Sequence, residues 1–233
     1  DKIDLVHVSL GSMGEPKYGM WAQPTYYSHN YIVPWAEKIK REVSIPVTAV
    51  GSISDLQSAE EILAAGKADM VAMARALVAD PDLVNKSYHE KADEVRPCTR
   101  CCRCMNRSAF FYPVRCSVNP TVGRGEELRW LPPAETKKKV VVVGGGPAGM
   151  QAALTAASRG HDVVLFEKEP MLGGALWPAA ALPFKGDLRK YRDWMISTTL
   201  QSKVDVRLEV EATAETIRAE EPDTLIVAVG AQE

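Results

Sequence analysis

The sequence predicts an α/β protein of parallel strand–helix units, interrupted by one loop-rich segment. Three observations carry this. Apolar strand-like runs alternate with amphipathic helical stretches in the first part of the chain. All five cysteines crowd into residues 98–116, within a stretch, 93–139, that also holds several prolines and glycines. Beyond them an all-valine run, 140–143, leads into G-G-G-P-A-G and another helical stretch. Composition agrees, since 46% hydrophobic and 25% charged residues over 233 positions describe an ordinary globular chain of one or two domains. A net charge of −2 gives no electrostatic case for nucleic acid or an anionic membrane surface as partner. The opening DKIDLVHVSL is not a signal peptide, and no apolar run reaches the roughly 20 residues of a membrane span. A cytoplasmic location is the expectation.

The elements of the first block follow in order. Residues 3–10 read as a buried strand, 34–43 as a helix with Trp35, Ile39 and Val43 on one face, and 45–50 as the next strand. Ser54 followed by Gln57 has capping-box spacing for a helix that ends at Gly66, where a left-handed residue is needed. Residues 68–73 form a third strand. Asp80-Pro81 then opens a final helix with a cap residue and a proline at its start.

The middle segment, 93–139, has little periodicity, and a loop of that length needs something else to order it. The cysteines supply a candidate. Cys98-x2-Cys101-x2-Cys104 puts three thiolates on one tight loop and Cys116 returns a fourth, the logic of a 4Fe-4S ligand run. With no secretory signal, thiols this close read as metal ligands before disulfide partners. Structural zinc is the competing reading, although it usually shows two separated C-x2-C knuckles. Cys102 sits between two candidate ligands and reads as the spare.

In the third block, Gly144, Gly146 and Gly149 fit G-x-G-x-x-G between a strand and the helix MQAALTAASRG, which closes on Gly160. A second strand, Asp162–Phe166, delivers Glu167. The glycines allow a tight turn, close approach of backbone to a pyrophosphate and close helix packing, while the acid accepts ribose hydroxyls. An acid there argues against a 2′-phosphate. This is a Rossmann-like dinucleotide-binding βαβ unit, with Gly144, Gly146, Pro147, Ala148, Gly149, Glu167, Lys168 and Gly174 as its candidate cofactor-binding residues.

In order, these segments resemble the flavoenzymes that join an old-yellow-enzyme-like barrel to a four-iron cluster and a second nucleotide domain, the family of 2,4-dienoyl-CoA reductase, trimethylamine dehydrogenase and the bile-acid-inducible NADH:flavin oxidoreductases. The resemblance rests on IPVTAVGSI, ADMVAMARALVADPDLVNK, the cysteine run ending RCSVNP, and VVVVGGGPAGMQAAL with FEKEPMLGGAL. It implies three parts. Residues 1–92 would be the C-terminal part of an FMN-binding (β/α)8 barrel, strands six to eight, with Gly51, Ser52, Ala74 and Arg75 on the flavin phosphate. Residues 93–139 would be the iron–sulfur segment and linker, and 140–233 an incomplete Rossmann-like domain for FAD, or ADP in its place.

The resemblance further implies electron flow from NAD(P)H through FAD and the cluster to FMN, which reduces an activated C=C bond of a small enoate, enoyl-CoA or 3-oxo-steroid substrate. Amine oxidation with the reverse flow, or a nonenzymatic nucleotide-binding fragment with a structural cluster, are the alternatives. Met13 stands where the dienoyl-CoA reductases place a proton-delivering histidine, and a thioether cannot donate that proton. His7, His29, Tyr26 and Tyr27 read as packing residues. Three strands cannot close a barrel, so the expectation is that more of the same polypeptide, or a partner subunit, completes it.

Overall fold

The computed structural model of the protein describes residues 2–11, 22–125 and 131–231. They form two compact units, Asp1–Gly123 and Arg124–Glu233. Met13 lies outside the described residues.

The first unit is built on three parallel strands in the order β1 (Val6–Val8), β2 (Val47–Ala49), β3 (Met70–Val71). β2 is central and buried along its length, as expected for a parallel strand covered on both faces. Helix α1 (Val33–Glu42) carries a proline in its first turn and buries Val33 and Ala36. Helix α2 (Leu56–Ala64) buries Ala59 and Ile62 in the same apolar cluster, which also holds Ile32, Ile53 and Leu83. Of the expected stripe on α1, Ile39 and Val43 pack on this core. Trp35 is 40% exposed and lies tilted against the Tyr31 ring. Asp69 joins three elements by accepting from Val47 N–H and Lys40 Nζ, each at 2.8 Å.

Two helix starts differ from the sequence reading. The cap of α2 is Asp55, whose side chain accepts the Ser58 N–H at 2.8 Å. Ser54 is diverted, its hydroxyl lying 3.0 Å from His29 Nδ1. A helix α3 (Ala74–Ala79) follows β3 directly, and the next, α4 (Leu83–Tyr88), begins at Leu83 instead of at Pro81. Asp80 remains structural: it is 5% exposed and accepts from Asp82 N–H, Arg96 N–H and Lys86 Nζ. A 3-10 turn, Ala92–Glu94, leads to the cysteine loop, and α5 (Arg103–Ala109) follows it. Gly66 ends its helix with φ 65°, as expected.

The second unit has four parallel strands, β4 (Lys139–Val143), β5 (Asp162–Phe166), β6 (Asp205–Arg207) and β7 (Thr224–Val227), in the order β6-β5-β4-β7. Helix α6 (Pro147–Ser158) joins β4 to β5 and packs on both. After a short α7 (Leu176–Ala179), the long α8 (Gly186–Gln201) lies against α6, burying Tyr191, Met195 and Thr199. One face of the sheet, with Val141, Val164 and Phe166, is covered by Val210, Ala212 and Ile217, the last from α9 (Ala214–Ala219). Alternation along β4 sends Val141 to that cluster and Val140 and Val142, also buried, to the other face.

Candidate functional site

In the first unit a cleft opens where the C-terminal ends of β2 and β3 meet the cysteine loop; Gly51, Ser52, Ala74, Arg75 and Cys98 line it. Gly51 has φ 117°, and a side chain there would start 2.7 Å from Ile32 Cγ1, so the turn after β2 admits only glycine. Ser52 is left-handed at φ 58° and 7% exposed. Arg75 reaches back over this turn. Its Nη2 donates to Ser52 Oγ at 2.8 Å, and its Nη1 donates to the Gln23 carbonyl at 2.7 Å and to Cys102 Sγ at 3.3 Å. All three partners are neutral, so the guanidinium keeps its charge inside the cleft. A fixed cation beside a tight turn fits a phosphate group.

Beside this cleft the chain folds the cysteine loop. Burial pushes the Cys98 thiol up to about 12, against the opposing pull of the Arg100 N–H, 3.4 Å from its sulfur. Burial also raises Cys104. It acts on Cys101 too, but hydrogen bonding with Ser117, whose Oγ lies 3.3 Å from the sulfur, and with the Arg103 N–H outweighs it and leaves that thiol below its ordinary value. Cys101 and Cys116 act electrostatically on both Cys98 and Cys104, which puts these four in one neighbourhood. Cys102, also raised by burial, faces Arg75 and Arg100. Its backbone is left-handed, φ 57°, and its sulfur lies against the Arg75 guanidinium.

Among the described residues no three cysteine, histidine, aspartate or glutamate side chains close to the geometry of a site for a single metal ion. A cubane spreads its thiolates over the corners of an iron–sulfide body, and four cysteine sulfurs are the donor set it takes. Ligation would hold all four as thiolates, so loading the site releases protons from the raised thiols.

The second unit places the glycine motif as its spacing requires. Gly144 (φ 104°) makes the turn after β4, where a Cβ would meet the Ala228 carbonyl oxygen at 2.5 Å. At Gly149 a Cβ would fall 1.8 Å from the Gly144 carbonyl oxygen, so α6 sits directly on the turn. Gly146 has nothing within 4 Å of that position, which leaves its side open to a ligand. Pro147 begins α6, Ala148 is exposed, and Lys168 lies at the surface near Glu169. Glu167 is 7% exposed; its carboxylate accepts the Gly145 N–H at 2.6 Å and the Glu169 N–H at 2.9 Å. A carboxylate has roughly four acceptor positions, so two such bonds leave capacity for ribose hydroxyls. Gly174 (φ 47°) approaches Gly146, where a Cβ would lie 3.1 Å from its Cα.

Two participants escape the spacing argument. Gly145 is the middle glycine of three, and a Cβ there would strike Leu172 at 2.5 Å and the Glu167 carboxylate at 2.9 Å. Arg100, between two candidate ligands, is 3% exposed and donates to the carbonyls of Thr25, Tyr27 and Ser28. The uninterrupted G-G-G was a signal for the first; nothing local marks the second.

Residues 1–94 match the model of the NADH:flavin oxidoreductase / NADH oxidase family, and residues 139–224 that of the FAD dependent oxidoreductases. The chain is 43% identical to an NADH oxidase of Thermoanaerobacter brockii over 99% of its own length and 35% of that protein. It is 38% identical to a cinnamate reductase of Clostridium sporogenes over 94% of its length and 33% of the relative. Among solved structures, a 2-naphthoyl-CoA reductase in complex with 2-naphthoyl-CoA superposes with a TM-score of 0.88 at 31% identity, covering 99% of this chain and 35% of that one. The chain thus spans about a third of the length of the curated relatives it matches.

Proposed function

We propose, for a chain that belongs over residues 1–94 to the NADH:flavin oxidoreductase / NADH oxidase family and over residues 139–224 to the FAD dependent oxidoreductases, that it forms the cofactor-holding part of an NAD(P)H-dependent iron–sulfur ene-reductase. The substrate class is a small molecule with an activated C=C bond, and the setting is cytoplasmic. The relatives that reduce cinnamate and 2-naphthoyl-CoA support this class. The observation that carries the reading is Arg75, held by three neutral partners in a cleft that the cysteine loop also lines.

When bound, flavins supply hydride and one-electron chemistry and a 4Fe-4S cluster supplies single-electron steps between them. The chain's residues bind and orient. Arg75 neutralises the FMN phosphate, with Gly51, Ser52 and Ala74 shaping the turn around it. Cys98, Cys101, Cys104 and Cys116 ligate the cluster. Gly144, Gly146 and Gly149 let the FAD pyrophosphate approach the start of α6, and Glu167 receives the ribose hydroxyls and repels a 2′-phosphate.

Anaerobic purification of the natural full-length polypeptide with metal and flavin analysis tests this. About four irons and about two flavins per chain are expected. Cys116→Ser should lose the iron. Zinc in place of iron would overturn the reading, and bound ADP without FAD, with flavin that NAD(P)H does not bleach, would turn it toward amine oxidation.

A further inference from the structure

Cys102 belongs to the cysteine loop in sequence and, in space, to Arg75, which lines the cleft. Its φ of 57° is a conformation that side-chain-bearing residues adopt at a cost, so the surrounding contacts hold it there. Cys101 turns to Ser117, whereas the Cys102 sulfur accepts from Arg75 Nη1 and lies 3.8 Å from the Ala22 carbonyl oxygen. Arg75 is therefore fixed from three sides, by Ser52 on the β2 turn, by the Gln23 carbonyl and by Cys102.

We propose that Cys102 is a positioning residue for the flavin-phosphate arginine. It ties the loop that carries the metal ligands to the group that holds FMN. The proposal rests on reading the cleft as the FMN phosphate site.

The chemistry of sulfur suits the task. An arginine has a long flexible stem, and a partner that fixes the guanidinium in advance lowers the entropic cost of binding an anion. A carboxylate at this position would also fix it, but would neutralise the charge the phosphate needs. A thiol is a weak, uncharged acceptor and leaves that charge intact. The link is reciprocal by thermodynamic necessity: whatever orders the loop at Cys102 favours FMN, and FMN favours the ordered loop.

The test compares FMN with riboflavin, which lacks the phosphate, on the natural full-length polypeptide with its iron content measured. Cys102→Gly removes the sulfur while suiting the left-handed backbone, and Cys102→Ala removes it with the backbone cost retained. Each should weaken FMN binding about three- to tenfold, the loss of one modest hydrogen bond, and leave the riboflavin Kd and the iron content unchanged. Cys102→Ser should recover part of the loss. In an Arg75→Gln background, Cys102→Gly should add nothing.

If both variants keep the wild-type ratio of FMN to riboflavin affinity, the positioning role is wrong. Loss of iron in Cys102→Gly and Cys102→Ser would make Cys102 a ligand and equally overturn it. If the wild-type protein binds FMN and riboflavin alike, the phosphate reading of the cleft falls first and this role with it.

Discussion

Replacing Gly149 by alanine adds one methyl group, and the structure gives its destination. The new Cβ would lie 1.8 Å from the Gly144 carbonyl oxygen and 3.0 Å from its carbon, about half an ordinary contact distance from a backbone atom that no rotamer can move. Relief requires α6 to lift off the end of β4. Overpacking of that kind costs up to about 3 kcal/mol, and the better helix propensity of alanine returns about 1. The net loss of about 2 kcal/mol should lower the melting temperature of the Arg124–Glu233 unit by roughly 10 °C.

Gly146→Ala is the matched control, the same methyl three residues earlier. Nothing lies within 4 Å of it, and the backbone, φ −71° and ψ 178°, suits alanine. Only the helix cap weakens, by about 0.5–1 kcal/mol. ADP binding by calorimetry should nevertheless fall at least about tenfold, since the methyl occupies the approach to the helix start. Wild-type ADP affinity in Gly146→Ala, or a wild-type melting temperature in Gly149→Ala, would refute the division of the motif into a packing glycine and a ligand-facing glycine.

Asp80→Asn should destabilise the first unit by about 2–3 kcal/mol in urea melts, because Lys86 Nζ, 2.6 Å away, loses its charge partner. Burial pushes the Asp80 carboxyl up, but Lys86 and the N–H groups of Arg96 and Asp82 outweigh it and hold it below the usual range. Its contribution is therefore present above the ordinary carboxylate pKa of about 3.9 and lost as pH falls through the lower folded value. Melts from pH 6 to pH 2 should show a steeper acid loss in wild type than in the asparagine variant. Asp55→Ala should cost about 1 kcal/mol through the lost α2 cap, and Ser54→Ala should leave the Asp55 cap bond in place. Met195→Ala, at a fully buried position of α8, should cost about 2–5 kcal/mol in the second unit.

The pairing of β4 with β5 was legible because its constraints are local. An all-valine strand, a turn that only glycine can make and a helix that needs a glycine to dock leave little choice. The cap of α2 was less legible, since Ser54 and Asp55 are both good caps one residue apart. His29, distant in sequence, settles it by engaging Ser54. Helix α8 hides its stripe: Asp187, Tyr191, Met195 and Thr199 recur every four residues and are all buried, but two of the four are polar. At the cleft, spacing marks Cys102 as the odd cysteine. Its direction comes from a φ value and from Arg75, 27 positions away, which no local pattern encodes.

Arg100 gives the cysteine loop a long-range clamp. Its guanidinium is sealed against carbonyls 72 to 75 positions earlier, on the segment between β1 and α1. Contacts of that separation close late, after local turns and helices have formed. In the folded chain the shape of the loop between Cys98 and Cys101 thus depends on residues 25–28, far away in sequence. Were the loop to take up iron, the uptake would depend on the docking of residues 25–28. A detached peptide of the loop would lack this clamp on Arg100, between Cys98 and Cys101.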